Sequence, residues 1–398
     1  MGKDSQGNLG RTGRGGEMRV AFDASCLIGS KSGVAYYTEG LILHLAKEHG
    51  EDIELVGHYC NFLGRNKNLK LPQGPNITYR PTKLMPVQVL NLLRRLRFWI
   101  PFELLVKGRS DFHLFPAYIG WPSLFKTPSA PVIYDTTYLD YPEFVNKRAL
   151  HDLKTFTPKA IKRSSFVITI SETSAQSISK HYRINRSDLT ITHVPPLGIE
   201  RLAKNTVKIQ LDAMGIYGPY ILFLGNLEPR KNLVTLLKAY KRLSDQDKSD
   251  HALVIAGGKG WNNEEIQSTI NDMQSKNYKI ILPGYVDDKQ RAVLFEAASV
   301  FVLPSHYEGF GMSLLESMSY QTPVIASDIP IFHEVCGDAA RYFRPNSPEA
   351  LAEQIQTVTS DKKTSDQLII NGSKNLLRFS WEDVTSTIYK RIKKEVEV

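Results

Sequence analysis

Short β-branched and aromatic runs alternate with helix-period segments along nearly the whole chain, and that alternation admits few architectures. Strands joined by helical crossovers pair in parallel, so the pattern implies βαβ units with helices covering both faces of each sheet. In the first half the predicted strands are Arg19-Val20-Ala21-Phe22, 53–58, 112–115, Val132-Ile133-Tyr134, 166–170 and 189–194, with helices over 34–47 and 147–163. Pro195-Pro196-Leu197-Gly198 breaks both periodicities. Strands then resume at 220–224, Leu253-Val254-Ile255-Ala256, 279–282, 300–303 and Val324-Ile325-Ala326, and residues 381–394 read as a last helix. The expected fold is α/β, two Rossmann-like domains facing across a cleft, with boundaries at 18–198 and 199–380.

A length of 398 residues supports two cores better than one. With 42% hydrophobic and 23% charged residues, the composition is that of a soluble globular protein. No run approaches the roughly 20 apolar residues that a membrane span needs. Residues 1–17, MGKDSQGNLGRTGRGGE, lack an apolar core and read as a disordered tail. Three scattered cysteines make neither a disulfide framework nor a zinc pattern, so a reducing, cytoplasmic setting is expected. The net charge of +9 fits nucleic acid, anionic lipid or an anionic small ligand. The absence of a zinc finger or RNA-binding signature disfavours nucleic acid.

The most informative segment is 303–327, LPSHYEGFGMSLLESMSYQTPVIAS. A strand ending at Leu303 leads through a loop into a helix from Gly311. Helix N-termini present unpaired N–H groups and a partial positive charge, which suit phosphate. Gly309 and Gly311 remove side chains where a backbone must approach a ligand. Glu308 lies in the loop, and Glu316 lies about five residues into the helix, roughly 8 Å along its axis. Two carboxylates flanking a phosphate cradle suit a ligand with sugar hydroxyls at both ends, a nucleotide sugar.

Open α/β sheets bind ligands beyond the carboxyl ends of their strands. Gly225, Gly257-Gly258, Gly284 and the Glu308 loop each follow a predicted strand and should converge on one edge. Gly225-Asn226-Leu227-Glu228-Pro229-Arg230-Lys231-Asn232 adds two cations there, suited to the charge that develops on a leaving diphosphate. His306, His333 and Glu334 accompany them, although a loop histidine such as His306 equally suits a structural role. Asp287-Asp288 should open a helix rather than bind metal, so no tightly bound metal is expected.

Glu308 and Glu316, with seven residues between them in EGFGMSLLE, resemble the E-x7-E motif of retaining glycosyltransferases of the GT-B fold. The segments GNLEPRKN, VIAGGKGW, LPGYVDD and PVIASDIPIFHEVCGDAARYF follow the order found in family 4, particularly its mannosyltransferase-like branch. The resemblance spans most of residues 18–390. It implies transfer of a hexose from a nucleotide sugar, GDP-mannose in preference to a UDP-sugar, to a saccharide or glycolipid. It implies catalytic roles for Glu308, Arg230, Lys231 and Asp135. Donor binding would fall to Gly33, Gly225, Asn226, Gly258, Val286, Phe310, Gly311, Met312, Ser313 and Glu316. It also implies that the final segment, 381–398, crosses back onto the first domain. Two departures stand out. Asn226 occupies a place where similar enzymes often carry arginine, and Tyr134 precedes Asp135 where histidine is usual. Either Asp135 then carries more of the acceptor chemistry, or the leaving phosphate takes the proton. Ser171-Glu172-Thr173 matches a strand-to-helix turn that serves as an N-cap or as a ligand contact. A nucleotide-sugar epimerase and a non-catalytic nucleotide-sugar-binding subunit are the alternatives.

Residues 83–109 read two ways. Leu90, Leu92, Leu93, Leu96, Phe98 and Trp99 interleaved with Arg94, Arg95 and Arg97 suit a helix lying on anionic lipid, at the inner face of the plasma membrane. They equally suit a domain helix with snorkelling arginines.

Overall fold

The computed structural model describes residues 17–29, 32–64, 69, 71–83, 85–96, 98, 100–196 and 201–397. The tail predicted at 1–17 falls almost wholly outside these residues. So do Leu197 and Gly198, and with them the predicted boundary.

The first half contains β1 (Met18–Asp23), β2 (Ile53–Cys60), β3 (Ile77–Thr82), β4 (Phe112–Phe115), β5 (Ser129–Pro131), β6 (Val167–Thr169) and β7 (Leu189–Ile191). Five of these form a parallel sheet in the order β3-β2-β1-β4-β5, and β6 pairs with β7. A single bridge from Val132 to Ile168 joins the two groups. The second half contains β8 (Tyr220–Leu224), β9 (Ala252–Ala256), β10 (Ile280–Gly284), β11 (Val300–Leu303), β12 (Val324–Ser327) and β13 (Ala340–Phe343). They form one parallel sheet, β10-β9-β8-β11-β12-β13. Central strands β8, β9, β11 and β12 are buried almost throughout, as helices on both faces require.

The expected α/β architecture is present, with two kinds of departure. The run predicted as a strand at Val132-Ile133-Tyr134 pairs only through Val132, and the strand proper is Ser129–Pro131. Strands β3 and β13 were not predicted at all. Each is an outermost strand with exposed or half-buried positions, so its sequence lacks the apolar continuity of a central strand.

The last helix, Trp381–Val396, returns to the first half and packs on the helix Gly33–Glu48. Gly40 makes that contact possible, since a Cβ there would lie 2.1 Å from the Trp381 ring. Trp381 stacks on His44 at 5.3 Å, Tyr389 stacks on His49 at 4.2 Å, and Tyr389 Oη donates to Asp52 at 2.9 Å. The expected crossing is therefore built on close ring packing rather than on charge.

Candidate functional site

Strand β11 delivers the chain into the loop 304–310, and the helix Met312–Ser319 follows. Gly311 stands at its N-cap with φ 94°, a left-handed conformation that strains other residues, and no side chain caps the helix. Among the described residues no side chain takes up its first N–H groups. Across from this turn, Gly33 opens the first long helix, and a Cβ at Gly33 would lie 3.7 Å from Met312 Sδ. Met312 and Ser313 are half-buried rather than plugged by protein.

Glu308 and Glu316 both turn inward, at 9% and 6% exposure. Glu308 accepts from Arg230 Nη1 at 2.6 Å, Lys231 Nζ at 2.6 Å and Ser305 Oγ at 2.8 Å. Burial alone would raise its carboxyl, but the two cations prevail and bring it down to about 2. Arg230 also donates to the carbonyl of Tyr307 and to Glu228, each at 2.8 Å. Its partners hold it protonated despite the cost of burial.

Glu316 has the opposite surroundings. Burial pushes its carboxyl up to about 7, against the pull of Arg291, whose Nη1 lies 3.4 Å away. Its Oε1 accepts no hydrogen bond from the described residues. Arg291 comes from the helix Asp288–Ala297 and lies over the Tyr36 ring at 4.7 Å, while Tyr36 Oη donates to Asp288. Both halves therefore meet at this end of the site. Asp287 caps that helix, as its sequence suggests.

The remaining strand ends close the edge. Gly225 N donates to Ala256 O at 2.9 Å, Leu227 N to Gly258 O at 3.1 Å, and Gly257 N to Gly284 O at 2.7 Å. A Cβ at Gly225 would lie 3.5 Å from Lys231 Cε, while Asn226 is exposed beside it. Val286 is half-buried against the core, and Phe310 is buried.

From the first half, Asp135 enters against the Glu308 loop. Burial raises its carboxyl, with the Thr137 amide and Arg230 opposing, and its Oδ1 accepts from Thr137 N at 3.0 Å. Tyr134 does not enter the site. Its hydroxyl donates to Pro116 O at 3.0 Å and its ring packs edge-on to Tyr37. Ser171 caps the next helix through Ser174 N, and its hydroxyl donates to Gly309 O at 3.1 Å. His306 stacks on Phe144 at 5.9 Å, and burial lowers its basicity. His333 is exposed, pairs with Asp328 and stacks on Tyr342 at 4.0 Å, apart from the cleft.

The sequence reading missed Ser305, Glu228, Arg291 and Tyr36 as neighbours of these groups. Ser305 and Glu228 lie inside the segments 303–327 and 225–232, so their proximity is legible locally. Arg291 and Tyr36 meet only through the fold.

Four likenesses to known families and proteins bear on this geometry. The family described as Glycosyl transferases group 1 matches residues 217–375. The chain is 28% identical over 260 residues to O-antigen chain mannosyltransferase B of Escherichia coli, covering 64% of this chain and 67% of that protein. It is also 28% identical over 199 residues to O-antigen chain mannosyltransferase RfbU of Salmonella typhimurium, covering 50% of this chain and about half, 52%, of the relative's length. In fold it is similar to sucrose-phosphate synthase from Thermosynechococcus elongatus, with a TM-score of 0.70 at 15% identity over 95% of this chain and 99% of the other.

Proposed function

We propose, from the match of residues 217–375 to Glycosyl transferases group 1 and the two-domain α/β fold, that this chain moves mannose from GDP-mannose onto a saccharide or lipid-linked saccharide with retention of configuration. The observation that supports this most is the pairing of Glu308 with Arg230 and Lys231 beside an uncapped helix start. In this reading the pyrophosphate bridge lies at the Gly311–Ser313 amides and draws Arg230 and Lys231 toward its oxygens. Those cations stabilise the leaving diphosphate as charge develops, the part a metal plays elsewhere. Glu308, released from part of that pairing, accepts from the sugar hydroxyls, and Glu316 accepts from the ribose. Asp135 or the departing phosphate receives the acceptor proton on the same face as the leaving group. Mannose is favoured by the two relatives from Escherichia coli and Salmonella typhimurium, both mannosyltransferases.

The lipid-linked form of the acceptor rests on the segment Val87–Arg95 and its continuation. Leu92, Leu96 and Phe98 are 55%, 58% and 69% exposed, a concentration of apolar surface suited to a bilayer interface. Arg95, however, forms a two-pronged pair with Asp152 at 2.7–3.2 Å, which serves the domain rather than lipid. The Arg94 side chain, Arg97 and Trp99 lie outside the described residues. No helix among the described residues is long and apolar enough to cross a membrane. A peripheral position on the cytoplasmic face of the plasma membrane follows from this reading.

The deciding experiment offers GDP-mannose and competing nucleotide sugars to the enzyme with a panel of saccharide and glycolipid acceptors, and reads the anomeric configuration of the product by NMR. Retained configuration with GDP-mannose supports the reading. Conversion of the donor without any acceptor, or donor binding without turnover, would overturn it.

A further inference from the structure

One carboxylate outside the site described above joins the two halves. Glu334 lies on the helix Pro330–Cys336 of the second half. It accepts from the backbone N–H groups of Glu172 at 2.6 Å and Thr173 at 2.8 Å, and from Thr173 Oγ1 at 2.6 Å. His193 Nε2 lies 3.2 Å from it. All of these partners belong to the first half. Glu172 and Thr173 open the helix Glu172–Tyr182, so the anion meets unpaired N–H groups at the positive end of a helix dipole.

The same helix start also holds the loop next to Glu308. Ser171 Oγ donates to Gly309 O at 3.1 Å, and Ser174 Oγ donates to Tyr134 O at 2.9 Å, with Gly309 O at 3.4 Å. Residues next to the chain's two passages between halves pack together here as well. His193 lies just before the first passage and Phe379 on the second. Their rings pack at 5.7 Å, and each packs on Phe310, at 6.1 and 5.9 Å respectively. Arg378, beside Phe379, donates to the carbonyl of Glu334 at 3.0 Å. Phe310 sits between Gly309 and Gly311.

We propose that Glu334 is a positioning residue for the transfer reaction, a pivot at the hinge that seats the Glu308 loop against the first half. The proposal rests on the transferase reading above. Hinges are few residues at the ends of elements about which domains rotate, and Glu334 touches His193, near the first passage, and Arg378, on the second. Its loss leaves the second-half groups that hold a nucleotide intact, but misplaces them relative to Asp135 and Gly33. The signature is therefore a defect in turnover with nucleotide affinity preserved.

The test compares the full chain with Glu334→Ala, Glu334→Gln and Ser171→Ala. It measures GDP and UDP affinity by calorimetry, transfer kinetics, thermal stability, and small-angle scattering with and without nucleotide. Glu334→Ala is expected to lower kcat roughly 10- to 100-fold, because a misplacement of about 1 Å costs that much. Its nucleotide affinity should stay within about 3-fold of wild type on the same argument, and its radius of gyration should rise. Glu334→Gln, which keeps one acceptor oxygen, should recover part of the turnover. A folded Glu334→Ala with wild-type kcat overturns the proposal, as does a lowered Tm with full turnover per folded molecule. Should Glu334→Ala fail to fold, Glu334→Gln and Ser171→Ala decide by the same readouts. If the wild-type chain neither binds nucleotide nor transfers sugar, the transferase reading fails by itself. Scattering then decides the pivot separately, and an unchanged radius of gyration in the variants overturns it.

Discussion

Glu308 and Glu316 lie eight positions apart in one loop–helix unit, both buried, and their environments drive them in opposite directions. Glu308 is held near 2 by two cations at 2.6 Å. Glu316 is raised to about 7 by burial, with one guanidinium at 3.4 Å. Two like groups pushed apart in this way take different tasks. Glu308 is an anion across neutral pH and holds Arg230 and Lys231 together. Glu316 has a single looser partner in Arg291, and its Oε1 accepts no hydrogen bond from the described residues.

Breaking the cation-rich end should cost the most. Glu308→Ala leaves Arg230 and Lys231 facing each other without their shared anion, and a loss of about 3–5 kcal/mol of stability is expected in denaturant titrations. A loss under about 1 kcal/mol would show that the pair is better solvated than its burial implies. Lys231→Ala should lower kcat about 10²- to 10³-fold, the scale for removing a preorganised charge stabiliser. Its effect on donor affinity should be much smaller, and steady-state kinetics with a saturating acceptor separate the two. Glu316→Ala acts at the other end and should weaken nucleotide binding roughly 10- to 100-fold, as loss of a charge-assisted hydrogen bond does. Calorimetry with GDP checks it, and unchanged affinity would remove Glu316 from the donor site.

The pH dependence sharpens the contrast because the signs differ. The raised carboxyl of Glu316 means that the folded protein keeps a proton the unfolded chain releases, so this group's contribution to stability falls as pH rises from 4.5 to about 7. Glu308 contributes stability that is present above 4.5 and is lost as pH falls toward about 2. Glu316→Gln should therefore gain on wild type between pH 5 and pH 7, by on the order of 1–3 kcal/mol. A parallel pair of stability curves would refute the raised value. The smallest effect is expected at Arg95, whose pair with Asp152 is partly exposed. Arg95→Ala should cost under about 1 kcal/mol and leave turnover unchanged.

Much of this was legible in the chain itself. Periodicity located the central strands, because a strand buried on both faces must be apolar throughout, and Tyr220–Leu224 and Val300–Leu303 fall at the predicted residues. Turn chemistry located the loop 304–310 and the helix after Gly311, and spacing placed both glutamates on that unit. Edge strands β3 and β13 escaped because one side of each has no strand neighbour and the apolar signal fades there.

What the sequence could not decide is what surrounds each group. Nothing local distinguishes Glu308 from Glu316, since a carboxyl's proton affinity depends on burial and on charges brought near through space. Arg291 and Tyr36 lie in different halves of the chain, and only the docking of those halves stacks one on the other. Likewise Tyr134 occupies the position of an expected polar contact, yet core packing turns its hydroxyl to Pro116 and leaves Asp135 facing the cleft. Short-range pattern determines period, turn and cap because those are properties of neighbouring residues. Dielectric environment and charge pairing are set by groups far apart in sequence, and only the tertiary structure brings them together.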